Sequence, residues 1–225
     1  MKSLGIVSVV AALKRFYGPP PPPIAKTAFE LILAENVAYL VTDAERRAAL
    51  AMLRRTVGTR PDEIASASRD ELRRITGSGI LPEQFAVKLE TCGRIALEEF
   101  EGDVESILEL PLATAKKALR TFPGIGEPGA EKILLFAGHQ PLLAPESNGL
   151  RVLVRVGLLA DRKSYAATYA GARPLAAELG GWRSVSVAHR VLRHHGQVRC
   201  RRTNPQCGGC PLRAGCPSAS VIPRS

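Results

Sequence analysis

Residues 114–137 read TAKKALRTFPGIGEPGAEKILLFA, and this stretch decides the fold. Apolar residues recur at helical spacing on both sides of the turn PGIG at 123–126, so the stretch predicts two helices joined by a tight hairpin. Glycine lets such a turn approach a phosphate oxygen, and the amide groups that open the second helix point toward the same anion. Ile125 is expected to pack between the helices, and Pro128 suits the first turn of the second helix.

The rest of the chain also has helical patterns. Across residues 27–139 apolar residues recur at helical spacing, and alternating β-patterns are almost absent. The pair Ser68 and Glu71 has the spacing of a capping box, and residues 29–41 form an apolar run that is expected to be one of the helices. The sequence therefore predicts an all-α fold.

Length, composition and charge restrict the function. The chain has 225 residues, 45% of them hydrophobic, which is enough for one large or two small domains and excludes wholesale disorder. Its net charge of +10 favours a polyanion as partner over a neutral small molecule. No acidic residue follows Glu178, so the C-terminal arginines point to nucleic-acid contact. No apolar run reaches the ~20 residues that span a bilayer.

Four cysteines near the C-terminus form a C-x6-C-x2-C-x5-C pattern: Cys200, Cys207, Cys210 and Cys216. A disulfide framework fits poorly because the fifth cysteine, Cys92, stands alone. Structural zinc usually takes two close cysteine pairs, and only one close pair is present. A [4Fe–4S] cluster is the better match, with zinc as the alternative. The cluster is expected to be structural, holding nearby arginines in register with phosphates.

Together these features resemble the endonuclease III/MutY branch of the helix–hairpin–helix DNA glycosylases. The hairpin at 122–126, the segment RVLVR at 151–155 and the four-cysteine loop carry the resemblance, which extends from residue 29 to residue 216. It implies a six-helix barrel domain and a cluster domain formed by both chain ends, with a damaged or mispaired base flipped out of duplex DNA. The expected parts are an N-terminal helix and proline connector (1–23), a barrel domain (24–140) with the hairpin at 114–137, and a cluster domain (141–225) with its loop at 200–216.

The resemblance also suggests catalytic residues, with departures. Where bifunctional members carry a lysine that attacks the sugar, this chain has Pro128, so a monofunctional enzyme is expected. Lys132, one helical turn further, is a possible substitute. Glu146 takes the place of an aspartate that stabilises the cationic sugar or activates water. Glu35 matches the catalytic glutamate of the adenine-excising branch and, on a largely apolar helix, is a candidate for protonating the leaving base.

Other positions are expected to contact DNA. Leu40 occupies the position of a residue that fills the vacated base stack, and Asn36 and Tyr39 are expected to line the base pocket. Contacts to the DNA backbone are expected from glycines, Ile125 and arginines, namely Gly124, Ile125, Gly126, Gly129, Arg151, Arg199, Arg201 and Arg202.

Three functions remain open at this point. The first is a monofunctional glycosylase that uses Glu35 and Glu146, the second a glycosylase with lyase activity that uses Lys132, and the third a non-catalytic binder of DNA structure. In each case a cytoplasmic, nucleoid-associated monomer acting on duplex DNA with a lesion or abasic site is expected, since iron–sulfur assembly needs a reducing compartment. The sequence does not identify the lesion.

Overall fold

The computed structural model describes residues 4–220, which form helices and connecting turns without a β-strand, so the all-α prediction is confirmed. In chain order the α-helices are α1 (Ile6–Tyr17), α2 (Ala28–Asn36), α3 (Asp43–Thr56), α4 (Pro61–Ser66), α5 (Arg69–Thr76), α6 (Pro82–Phe100), α7 (Leu112–Leu119), α8 (Glu127–Phe136), α9 (Ser147–Arg155), α10 (Tyr165–Ala170), α11 (Leu175–Leu179) and α12 (Trp182–Val198). Three 3₁₀ helices span Val104–Glu109, Arg213–Gly215 and Pro217–Ser220.

The described chain divides into two compact units. One unit combines the described residues up to Pro22 with those from His139 onward, and the other comprises Pro23–Gly138. We call them the terminal unit and the central unit.

Side-chain caps define several helix starts in the central unit. The capping box predicted at α5 is confirmed: the Ser68 hydroxyl accepts from the Glu71 amide at 3.3 Å, and the Glu71 carboxylate accepts from the Ser68 amide at 3.0 Å. Helix α2 is capped by a residue far away in sequence. The carboxylate of Glu105 accepts from the amides of Ala28 and Phe29 at 3.0 and 3.2 Å. These bonds satisfy amides that have no acceptor within their own helix.

Helix α2 is shorter than the apolar run that predicts it. It ends at Asn36, and the chain continues as a turn in which Leu40 has a φ of +53°. Left-handed backbone is unfavourable for a branched side chain, so hydrophobic periodicity alone gives no sign of it. The turn brings residues 37–41 out of the helix and changes where their side chains point.

The core of the central unit is aliphatic, as the low aromatic content implies. Helices α4 and α6 cross closely at Gly93, where an added Cβ would lie 2.6 Å from the backbone nitrogen of Ala65. Fully buried leucines and isoleucines fill the unit, among them Ile32, Leu33, Leu50, Leu53, Ile64, Leu72 and Leu89.

The terminal unit is built on α1, α9 and α12. Helix α1 ends at Gly18, whose φ is +78°, and the five prolines 19–23 prevent it from continuing. Arg190 donates to the carbonyls of Pro20 and Pro21 at 3.2 and 2.6 Å, which holds the start of the proline segment. Over residues 4–220, each helix is too short or too polar to cross a membrane.

Candidate functional site

Helices α7 and α8 form the hairpin that the sequence predicts. Gly124 has a φ of +78°, a conformation that glycine adopts without strain. The Ile125 amide donates to the carbonyl of Phe122 at 3.2 Å, and both side chains are buried. Ile125 therefore packs inside the hairpin, as the sequence predicts, and its contact with DNA stays a prediction. Gly126 is the N-cap of α8, and Pro128 lies in its first turn as expected.

Asn36 joins α2 to the hairpin turn. Its side chain is fully buried, and its Nδ2 donates to the carbonyls of Ile32 at 3.1 Å and Pro123 at 2.9 Å. Its Oδ1 has no hydrogen-bond partner and would lie 3.0 Å from a Cβ at Gly124. The amide group is enclosed against the hairpin, where Asn36 fixes the position of the turn. Its place at the base pocket stays a prediction.

Two acidic side chains of α8, one of them in its first turn, pair with cations of α7 and its C-cap. Lys116 forms ion pairs with Glu127 and, at 2.7 Å, with Glu131, which is almost fully buried. Arg120 lies 3.5 Å from Glu127. Lys116 and Arg120 are thus engaged by acidic side chains, and the backbone amides at the start of α8 remain as groups that can bind a phosphate.

The two catalytic candidates of the central unit lie together. Lys132 Nζ donates to Glu35 Oε1 at 2.5 Å, linking α8 to α2. The pair is partly shielded, since 21% of the lysine side chain and 31% of the glutamate side chain are exposed. In such an ion pair the protonated amine of Lys132 donates and the ionised carboxylate of Glu35 accepts. Lys132 is therefore more than a solvated surface lysine.

An apolar surface is formed by two turns of the central unit. Leu40 is 72% exposed and Tyr39, also exposed, stacks on Phe85 with ring centroids 5.2 Å apart. The amide of Ile80 donates to the carbonyl of Tyr39 at 3.2 Å, and both Ile80 and Leu81 are about half exposed. We call Tyr39, Leu40, Ile80 and Leu81 the apolar tip.

Ile80 and Leu81 were not among the site residues predicted from the sequence. The sequence contains only a weak indication of them, because two large aliphatic residues stand in a glycine-containing loop immediately before Pro82. Leu81 also has a left-handed backbone, with a φ of +59°. Exposed aliphatic side chains on strained backbone are consistent with function rather than with packing.

Glu146 belongs to the terminal unit and is the N-cap of α9. Its Oε1 accepts from the amides of Asn148 and Gly149 at 3.2 and 3.4 Å, and its Oε2 accepts from Asn148 Nδ2 at 3.0 Å. Arg193 Nε lies 3.9 Å from Oε1. The carboxylate is therefore oriented by donors and remains partly exposed, with 30% of its side chain accessible.

The four C-terminal cysteines share one cavity in the terminal unit. Cys200, Cys207, Cys210 and Cys216 all line one cavity that opens to solvent. Within the described residues no three Cys, His, Asp or Glu side chains are grouped as ligands of a single metal ion. Sulfurs around one tetrahedral zinc ion would stand roughly 4 Å apart. Thiols spaced around a cavity fit a larger group such as a cuboidal iron–sulfur cluster better than one ion.

Cys92 is separate from this loop. It is fully buried in α6, and burial raises the pKa of its thiol to about 12. A thiol that holds its proton so firmly does not ligate metal readily.

The arginines predicted to bind DNA fall into two groups. Arg151 is tied into the terminal unit: its guanidinium donates to the carbonyls of Cys200 at 2.8 Å and Gly196 at 2.7 Å, and to Asn148 Oδ1. It thus braces the cysteine loop, and its contact with a phosphate stays a prediction. Arg201 and Arg202 are exposed.

Comparison with solved structures shows what the chain resembles. The structure of a trapped endonuclease III–DNA covalent intermediate matches with a TM-score of 0.77 and 19% identity over 97% of this chain and 98% of that one. A non-covalent endonuclease III–DNA complex matches with a TM-score of 0.78 and 19% identity, covering 96% and 95%. A thermostable thymine-DNA glycosylase matches with a TM-score of 0.74 and 14% identity, covering 96% and 97%.

No protein-family model and no curated protein matches the sequence. The likeness therefore lies in the fold, which is that of endonuclease III over nearly the whole chain, as the sequence motifs predicted.

Proposed function

We propose that this protein is a DNA base-excision glycosylase, which hydrolyses the N-glycosidic bond of a damaged or mispaired base flipped out of duplex DNA. The observation that carries the proposal is the Glu35–Lys132 pair, because it connects a carboxylate to the helix that begins at the hairpin turn. The fold shared with DNA-bound endonuclease III supports duplex DNA as the partner.

Binding to the DNA backbone is assigned to both units. In the central unit the glycine turn and the opening amides of α8, from Gly124 to Gly129, offer hydrogen bonds to a phosphate. In the terminal unit the exposed Arg201 and Arg202, together with Arg199, supply positive charge without an acidic neighbour in sequence after residue 178. Binding should therefore weaken as salt rises.

The apolar tip is suited to displacing a base. Leu40, Ile80 and Leu81 expose aliphatic groups that can enter the base stack and fill the space a flipped base leaves. Tyr39, stacked on Phe85, offers a flat face for an unstacked base. Apolar filling makes no hydrogen bond to the orphaned partner base, so weak discrimination of the opposite base is expected.

Hydrolysis of the glycosidic bond requires a proton for the leaving base and a water that loses one. As the bond between sugar C1′ and base nitrogen breaks, its electron pair goes to the base, and the sugar becomes cationic. A proton carried on Lys132 Nζ, which donates to Glu35 Oε1, can pass to the base. The oriented carboxylate of Glu146 can stabilise the cationic sugar and accept the proton of the attacking water.

The cysteine loop is proposed to hold a [4Fe–4S] cluster through Cys200, Cys207, Cys210 and Cys216. Bound in the cavity, the cluster would link residues 200–216 by covalent metal–sulfur bonds. The loop would then present Arg201 and Arg202 on a fixed framework, which is the structural role expected from the sequence.

Release of a free base from a panel of lesion-containing duplexes tests the proposal. We expect release from at least one duplex, with strong loss in Glu35→Gln and Glu146→Gln. Glu30→Gln is the matched control, since Glu30 lies on the same helix α2 and pairs with Arg54 at 2.7 Å. No release from any duplex, with tight binding to abasic DNA, would instead support a non-catalytic binder.

Lyase activity is the second candidate, and the same ion pair favours it. A lysine attacks the sugar only as a neutral amine, and the carboxylate 2.5 Å away is placed to take its proton. Borohydride trapping on an abasic-site oligonucleotide tests this. A covalent adduct in the wild type that disappears in Lys132→Arg would establish the lyase; no adduct would leave a monofunctional enzyme.

A further inference from the structure

A buried histidine contacts the cysteine cavity from the side of α12. His195 is 1% exposed, and its Nε2 lies 3.6 Å from the Sγ of Cys210. Its other ring nitrogen, Nδ1, lies 2.9 Å from the hydroxyl of Tyr17 at the end of α1. Neither Tyr17 nor His195 has a part in binding or cutting DNA as described above.

The direction of these hydrogen bonds follows from the chemistry of Cys210 at the end of the chain of contacts. A cysteine that ligates iron is a thiolate and can only accept, so His195 Nε2 is the donor in its 3.6 Å contact with Cys210 Sγ. The Tyr17 hydroxyl then donates its own hydrogen to His195 Nδ1. A neutral imidazole that accepts at Nδ1 carries its hydrogen on Nε2, and this nitrogen faces Cys210 Sγ.

We propose that Tyr17 and His195 form a one-way hydrogen-bond relay that donates to Cys210 Sγ and raises the reduction potential of the cluster. The proposal rests on the cofactor proposed above. A hydrogen bond donated to a ligand sulfur stabilises the more negative, reduced state more than the oxidised state. Partners beyond the first ligands also fix the orientation of the groups that contact them, and here Tyr17 selects the histidine tautomer.

The relay is specific to one of the four sulfurs. Cys200 Sγ has a different neighbour, Arg155 Nη1 at 3.5 Å, which belongs to α9 and does not involve Tyr17. Removing the tyrosine hydroxyl should therefore alter the donor to Cys210 and leave the donor to Cys200 in place. The ring of Tyr17 also packs edge-on against His194 with centroids 4.8 Å apart, a contact that phenylalanine would keep.

The test is a redox titration of the purified, iron-loaded full chain, with the midpoint potential and iron content measured for each variant. We expect Tyr17→Phe to keep its iron and shift the potential to a more negative value, and His195→Leu to shift it further. Tyr165→Phe is the matched control, because Tyr165 is a half-exposed tyrosine of α10 that stacks on Tyr169 and does not line the cavity. Its potential should equal that of the wild type.

The possible failures are distinguishable. An iron-loaded Tyr17→Phe protein with the wild-type potential would overturn the relay and leave the cluster proposal intact. So would a shift of equal size in Tyr165→Phe. A wild-type protein that is colourless and free of iron would overturn the cluster proposal and the relay with it. If His195→Leu loses its iron, Tyr17→Phe alone decides.

Discussion

Glu35 and Lys132 are 97 positions apart in sequence, and their side chains meet at 2.5 Å. This contact joins α8 to α2, the helix whose last residue, Asn36, anchors the hairpin turn. A carboxylate and an ammonium this close act as one unit, so changing either should alter the chemistry assigned to the other.

Glu35→Gln should lower the rate of base release by about 100-fold or more, the range typical of a removed acid–base group. Lys132→Met should also lower it, because Glu35 then loses its proton-carrying partner. Single-turnover release on the most reactive lesion duplex measures both. The Glu30→Gln protein should remain within about threefold of wild type. Equal rates for Glu35→Gln and wild type would refute the assignment.

Leu40→Gly should separate stability from activity. Leu40 is exposed with a φ of +53°, so glycine removes a backbone strain of about 1 kcal/mol and should raise the free energy of unfolding. The same change removes the side chain proposed to enter the base stack, so base release should fall. Urea unfolding and release assays give the two readouts. Leu97→Ala, at an exposed position of α6, should leave release unchanged, and an active Leu40→Gly enzyme would show that the wedge is not needed.

Glu127→Gln should tighten binding to abasic-site DNA at low salt. The change removes a negative charge from the first turn of α8 and releases Lys116 and Arg120 from one shared partner. One additional effective phosphate contact would also steepen the dependence of affinity on salt by about one unit in the log–log slope. Glu98→Gln, which breaks the exposed pair with Arg94, is the control. Weaker binding in Glu127→Gln would mean that the hairpin does not face phosphate.

Ser68→Ala should cost about 1 kcal/mol of stability, as for other N-cap substitutions. Hydrogen bonds from the Ser68 side chain and backbone lower the pKa of Glu71. Since the folded-state pKa lies below the unfolded one, this stabilisation is present at neutral pH and is lost as pH falls through the folded pKa. NMR titration should show the Glu71 pKa rising toward its ordinary value in Ser68→Ala. The exposed Ser184→Ala should change neither quantity.

Cysteine substitutions should divide the five thiols into two classes. Cys207→Ser should lose most of the bound iron, while Cys92→Ala should keep about four irons per chain, the content of one cubane cluster. The reason is that Cys92 is buried with a pKa raised to about 12, whereas Cys207 lines the cavity. Iron analysis and visible absorption of the purified proteins decide the matter. Iron loss in Cys92→Ala alone would contradict the ligand set.

Local sequence patterns predicted the features that depend on neighbouring residues. The hairpin, the capping box at Ser68 and the first-turn position of Pro128 each follow from a few adjacent residues, and the structure has all three. The grouping of the four cysteines around one cavity also follows from their short spacing.

Features that depend on distant partners were not predictable. No local pattern indicates that Asn36 donates to the carbonyl of Pro123, or Arg151 to the carbonyl of Cys200, because both partners lie far along the chain. Polar side chains satisfy their hydrogen bonds wherever the fold places an acceptor, and periodicity contains no information about that. The left-handed turn at Leu40 is a comparable case, since the surrounding fold imposes a backbone that leucine itself disfavours.

The division of the chain has a consequence for its biosynthesis. The terminal unit combines α1 with α9 and α12. The apolar face of α1, at Ile6, Val9 and Leu13, therefore stays uncovered until α12 has been translated. At roughly 5–20 residues per second that delay lasts on the order of ten seconds or more, long enough for a chaperone to engage the nascent helix. The central unit is contiguous and can fold in the meantime, so the cysteine loop would emerge into a cell where half of the protein is already native.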